Sequence, residues 1–143
     1  MSIAFAEQVT ATLFKDHYDL NVDTIRELNQ ALHNPDLTSS IEHWTVSHPA
    51  GQHNIAVGIN APVKVTIDGH AGYYCAGMNQ QAHVVVNGNV GVGVAENMMS
   101  GSVYVKGNAS QAAGATAHGG LLVIEGDAGA RCGISMKGVD IVV

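Results

Sequence analysis

From Val63 onward, apolar and polar positions alternate in short runs that return at a fixed interval. The runs are VKVTIDG, AHVVVNG, GSVYVKG, GLLVIEG and VDIVV. Gly69, Gly88, Gly107 and Gly126 close the first four at equal intervals. Aligned on these glycines, Val65, Val84, Val103, Leu122 and Ile141 share a column, as do Ile67, Val86, Val105, Ile124 and Val143. A second column of small residues reads Gly72, Gly91, Ser110 and Gly129. A constant period of this size, in the class of about 20 residues and upward, predicts a solenoid. Each repeat holds one alternating strand, a glycine turn, and a stretch of Ala, Gly and Asn without helical periodicity. At about 3.3 Å per residue, one repeat traces a circuit of roughly 60 Å, the girth of a β-helix coil. The six-residue period of a left-handed β-helix is missing. The expected fold is therefore all-β, a right-handed, three-faced parallel β-helix with a 19-residue repeat.

Stacking assigns each column a direction. The two aliphatic columns are separated by one position, so they share one face, the dry interior. The column between them, Thr66, Val85, Tyr104, Val123 and Val142, points outward and is also largely apolar. Either the stripe only reflects the preference of β-branched residues for strands, or the first 60 residues cover it, or a partner packs on Val85, Tyr104, Val123 and Val142, because soluble proteins rarely leave large apolar patches bare. In the next outward column, Asp68, Asn87, Lys106 and Glu125, a surface ion pair is expected between Lys106 and Glu125. Gly69, Gly88, Gly107, Gly126, Gly72, Gly91 and Gly129 are read as structural turn residues, and Gly107 is expected to need a positive φ. Val143 falls just short of the next turn position. The expectation there is that a partner or a symmetry mate covers the last rung, or that the polypeptide continues.

Upstream the pattern changes. Thr24-Ile-Arg-Glu27 is a capping box, in which hydroxyl and carboxylate satisfy free backbone donors at a helix start. Ile25, Leu28 and Leu32 follow at helical spacing, predicting a short amphipathic helix over 24–33 that Asn34-Pro35-Asp36 stops. Such a helix needs a surface to lie on. The stretch 1–20 shows no clean period, and a strand is expected near Ile41–Ser47. The chain thus divides into an N-terminal extension with a short α-helix, 1–40, and a β-helix domain, 41–143, that ends within a repeat.

Composition sharpens this division. All 17 glycines lie from Gly51 onward, and all three prolines lie at or before Pro62. The 143 residues carry a net charge of −6, which argues against nucleic acid as a partner. No apolar window approaches the length of a membrane span, and the start MSIAFAEQVTATLF lacks a basic leader region. A cytoplasmic protein without membrane contact is expected.

The chemistry-bearing residues form no assembled site in the sequence. Cys75 and Cys132 share a column three repeats apart, about 14 Å at rung spacing, too far for a disulfide. His43, His48 and His53 flank Pro49 without supporting ligands, and His70, His83 and His118 fall in three different columns, so no metal site is expected. Gly91-Val-Gly93-Val-Ala-Glu96 opens like a dinucleotide fingerprint but lacks its third glycine and a receiving helix. Met98, Met99 and Met136 suit either an adaptable contact surface or core filling.

The unit Gly126-xx-Gly129-xxx-Gly133, with GVAENMMSG, AAGATAHGGLLVIEGDAGARCGISMKG and DIVV, resembles the glycine-repeat domain at the carboxyl end of the glutamate synthase large subunit. It is most similar to the separate small-subunit version of that domain in N-methylglutamate synthase complexes. The resemblance spans about residues 20–143 and implies a β-helix with no catalytic, cofactor-binding or metal-binding residue of its own. It further implies a hetero-oligomer, in which one partner is amidotransferase-like and another carries FMN and an iron–sulfur cluster. The complex would make glutamate, or N-methylglutamate from glutamate and methylamine. The alternatives are a self-assembling structural solenoid or a truncated remnant, and then a free-standing enzyme with its site on the solenoid face.

Overall fold

The computed structural model describes residues 15–143, so the earlier part of the 1–40 extension lies outside the described residues. Seven strands run in chain order through one parallel sheet: β1 (His17–Asp19), β2 (His43–Ser47), β3 (Lys64–Asp68), β4 (His83–Val86), β5 (Ser102–Val105), β6 (Leu121–Ile124) and β7 (Asp140–Val142). Two short helices, α1 (Ile25–Leu32) and α2 (Pro35–Thr38), lie between β1 and β2. The fold is a parallel β-helix.

Strand register follows the sequence columns. Val65 pairs with Val84, Val84 with Val103, Val103 with Leu122 and Leu122 with Ile141. Ile67, Val86, Val105 and Ile124 align in the same way, and both columns are buried except at the last rung, where Ile141 is partly covered and Val143 is exposed. A second, minimal line of pairing joins Ala71, Val90, Ala109 and Ala128 past the turn. The sheet also extends upstream of Val63. Trp44 and Val46 pair with Val65 and Ile67, and Tyr18 pairs with Val46. β1 therefore lies in the sheet although it falls within the stretch 1–40. Trp44 is fully buried, donates its indole N–H to the Ile41 carbonyl at 3.0 Å, and stacks on Tyr18 with ring centroids 6.0 Å apart.

The third side of the coil contains no strand. Residues 54, 56 and 58 take positive φ, as do 74, 76 and 78; 93, 95 and 97; 112, 114 and 116; and 131, 133 and 135. Eleven of these fifteen are not glycine, and a non-glycine residue held there costs about 1 kcal/mol or more. Hydrogen bonds between rungs offset that cost, alternating in direction along the segment. Tyr74 N–H donates forward to the Val92 carbonyl at 2.8 Å, Ala76 N–H back to Ile55 at 3.0 Å, and Met78 N–H forward to Glu96 at 2.7 Å. The next rung repeats this with Gly93 to Gln111, Ala95 to Cys75 and Asn97 to Ala115.

α1 has Thr24 as its N-cap, whose hydroxyl accepts from Glu27 N–H at 3.1 Å. Its buried residues are Leu28, Ala31 and Leu32, and the surface it needs is the first left-handed segment. The Asn29 amide donates to the Asn54 carbonyl at 2.8 Å and accepts from Ala56 N–H at 3.0 Å, while His33 Nε2 meets the Val57 carbonyl at 2.7 Å. The segment Asn34-Pro35-Asp36 ends α1 and also starts α2, because the Asn34 side chain accepts from Asp36 N–H and Pro35 fits the first helical turn.

The turn glycines lie in their expected places for a different reason. Gly88, Gly107 and Gly126 do not have positive φ. A β-carbon at Gly107 would lie 2.6 Å from the Gly88 carbonyl oxygen, and one at Gly126 would lie 2.7 Å from that of Gly107. Close stacking of one turn on the next excludes a side chain, and this replaces the positive φ expected at Gly107.

Candidate functional site

The outer face of the sheet is built by the residues between the two buried columns. Thr66, Val85, Tyr104, Val123 and Val142 stand in one line across β3–β7, each opposite the next. Val85, Tyr104 and Val123 are half-buried, and Val142 is exposed. Thr45 and His17 prolong this line. At these two positions the chain upstream of Val63 thus adds rungs to the face.

Tyr104 is fixed by its neighbour one rung on. Its hydroxyl donates to the Glu125 carboxylate at 2.6 Å, which pushes the phenol above its ordinary pKa. Lys106 and Glu125 do not form the expected ion pair, because Glu125 is engaged by Tyr104 instead. The Asp68–Asn87 step of the same column is a hydrogen bond, Asn87 Nδ2 donating to Asp68 Oδ1 at 2.7 Å.

The histidines act largely as links between rungs. His17 meets the Thr45 hydroxyl at 2.6 Å and the Ser47 hydroxyl at 3.1 Å. His83 meets the Ser102 hydroxyl at 2.8 Å, and His43 meets that of Thr66 at 3.2 Å. His53 Nδ1 accepts from Tyr73 N–H at 2.7 Å, and His70 Nδ1 from Asn89 N–H at 2.9 Å. The latter begins a ladder, since Asn89 Oδ1 accepts from Asn108 N–H and Asn108 Oδ1 from Asp127 N–H. Sequence reasoning missed this ladder, because its inter-rung bonds depend on the turn geometry. Among the described residues no group of three or more His, Cys, Asp and Glu is placed to hold a metal.

Both cysteines are free thiols. Cys75 is sealed in the core, where burial pushes its pKa up to about 12. Partial burial raises that of Cys132. Val94 and Ala113 occupy the intervening rungs of their column, so the two sulfurs cannot serve one cluster or one disulfide.

Outside the sheet, one stretch departs from the repeat. Tyr73 and Tyr74 occupy columns that hold Val92 and Gly93 on the next rung, Gln111 and Ala112 on the one after, and then Ala130 and Arg131. Both tyrosines are about half exposed. A hollow of about 350 Å³ opens beside Tyr74, lined also by Met78, Glu96 and Asn97. Among the described residues, no helix is long and apolar enough to cross a membrane.

Over 59 residues the chain is 57% identical to Protein GlxC of Rhizobium meliloti (strain 1021). The aligned stretch covers 41% of this chain and 26% of GlxC, so the chain spans about a quarter of that relative's length. No family model matches the chain, and no solved structure matches it. The relation to GlxC is thus shown over part of the chain.

Proposed function

We propose that the chain is a non-catalytic β-helix scaffold subunit of a glutamate synthase-like complex. Its type is that of N-methylglutamate synthase, which forms N-methylglutamate from glutamate and methylamine with release of ammonia. The kinship with GlxC carries this reading, because it falls on a chain whose rungs stack into one parallel sheet with an apolar line along its outer face. A solenoid suits the task physically. Every rung is hydrogen-bonded to the next, so surfaces several rungs apart keep a fixed separation. Such a body can hold an amidotransferase-like subunit and an FMN- and iron–sulfur-carrying subunit at a set distance. In this reading the flavin and the cluster belong to the partner, and Val85, Tyr104, Val123 and Val142 form part of the docking surface.

Affinity purification of the full chain from its native extract tests the proposal. Recovery of an amidotransferase-like polypeptide together with a second one showing flavin absorbance is the expected result. Recovery of the chain with neither polypeptide overturns the scaffold reading. Turnover of glutamate and methylamine by the recovered complex would distinguish the N-methylglutamate type from plain glutamate synthesis.

A further inference from the structure

We infer that Tyr74 and Glu96 form a cation-binding notch that takes the guanidinium of a partner's arginine side chain. The inference deepens the scaffold reading and rests on it for the existence of a partner. The notch is read from the chain's own geometry. Glycines of the unused Gly91-Val-Gly93 motif make room for the two tyrosine rings. A β-carbon at Gly91 would lie 2.9 Å from Tyr73 Cδ1, and one at Gly93 would lie 2.7 Å from Tyr74 Cδ1 and 3.1 Å from Glu96 Oε2. The two rings are therefore bedded on the following rung, and the Tyr74 ring and Glu96 carboxylate flank the same point. Tyr74 is braced from behind. Its ring meets Tyr73 edge-on with centroids 6.3 Å apart, and Tyr73 stacks on His53 at 4.4 Å.

Charge decides the occupant. All six Lys and Arg residues lie within the described part of the chain, and none of them pairs with Glu96. Glu96 thus lines a hollow of about 350 Å³ as an anion with no basic partner among the described residues, in a chain of net charge −6. Beside it are an aromatic ring, the Met78 thioether and the Asn97 amide, whose oxygen already accepts from the Thr116 hydroxyl. A planar guanidinium satisfies both main features at once, since it stacks on aromatic rings and offers a carboxylate two parallel N–H donors. Tyrosine and methionine are also enriched where proteins dock.

The test uses the full chain with ¹³C-labelled tyrosine, titrated with N-acetyl-arginine amide and, separately, with the neutral citrulline analogue. The expected result is a saturable shift of the Tyr73 and Tyr74 signals with arginine, while buried Tyr18 and sheet-face Tyr104 stay still. Citrulline should bind at least about tenfold more weakly, and Glu96→Gln should weaken arginine binding by a similar factor at unchanged melting temperature. No saturable shift, equal binding of citrulline, or undiminished binding by Glu96→Gln each overturns the notch. Those failures would leave the co-purification result standing, so the two readings fall separately.

Discussion

The Asn108 side-chain oxygen lies 2.9 Å from the Asp127 backbone nitrogen, in the space that a side chain at Gly126 would have to enter. The same relation recurs one rung earlier. Asn89 Oδ1 accepts from Asn108 N–H at 2.8 Å and lies where a β-carbon on Gly107 would go. At these two turns the asparagine ladder and the glycine column are thus one device, in which Gly107 and Gly126 leave room for the previous rung's amide.

This makes a prediction about glycine that separates crowding from backbone strain. Gly107→Ala puts a β-carbon 2.6 Å from the Gly88 carbonyl without any positive φ to strain. It should destabilise by about 1–3 kcal/mol, the range of overpacking. Gly51 is the converse, with φ of +70° and open space around it. Gly51→Ala should lose only about 1 kcal/mol, from strain alone. Urea unfolding of both variants checks the ordering. A larger loss at Gly51 than at Gly107 would mean that turn stacking tolerates a side chain.

The rungs from β3 to β7 were legible because nothing interrupts their period, so one glycine column locates β3 to β6 and the aliphatic columns locate β7. β2 was legible as a strand but not as a rung, since Trp44 and its partner Val65 are spaced more widely than the repeat. β1 was hidden further, because α1 and α2 are inserted between Tyr18 and its partner Val46. The left-handed segments left almost no mark, since Tyr74, Met78, Ala95 and Arg131 occupy positive φ without being residues that favour it strongly. Their conformation is imposed by the neighbouring rungs' hydrogen bonds. The same blindness hid the Tyr74–Glu96 notch, whose parts come from successive rungs and meet only through that geometry.

Asn29 ties α1 to the first coil through two backbone bonds, to the Asn54 carbonyl and from Ala56 N–H. Asn29→Ala removes both and leaves a part-buried backbone donor without its partner. The expected loss is about 1–3 kcal/mol. Hydrogen exchange should show amides of residues 25–32 and 54–58 losing protection first. Uniform loss across all rungs would mean that α1 acts on the whole solenoid instead of capping one end.

Alkaline pH should find Cys75. Its folded pKa, pushed up to about 12 by burial, lies above the unfolded value of 9.0. Stability tied to the neutral thiol is therefore fully present below pH 9 and is lost as pH rises through the window between the two values. Within it the buried thiol contributes a slope of up to about 1.4 kcal/mol per pH unit. Cys75→Ala should flatten the alkaline limb of a stability-versus-pH curve from about pH 9 upward, and the slope that remains in the variant belongs to Tyr18 and Tyr104, whose phenols are also raised above the ordinary 10.0. Thiol labelling at neutral pH gives a second readout. Cys132 should react in the native state and Cys75 only on unfolding. Equal native rates would place Cys75 outside the core.

Tyr104 tests the outer face of the sheet. Its backbone pairs with β4 and β6, and its side chain lies between Val85 and Val123 with the hydroxyl on Glu125. Tyr104→Asp takes away an aromatic surface from the middle of the apolar line and sets a second carboxylate near Glu125. The buried columns on the opposite side are untouched, so the isolated chain should keep its far-ultraviolet spectrum and lose little stability. Docking is different, because an aspartate at the centre of an apolar contact must be desolvated without a partner. Binding of the proposed amidotransferase-like or flavin-bearing partner should weaken by about tenfold or more, measured by titration of the purified components. A variant that folds and docks as the parent does would show that the partners use another face, and Val85, Val123 and Val142 would then be only the exposed side of the sheet.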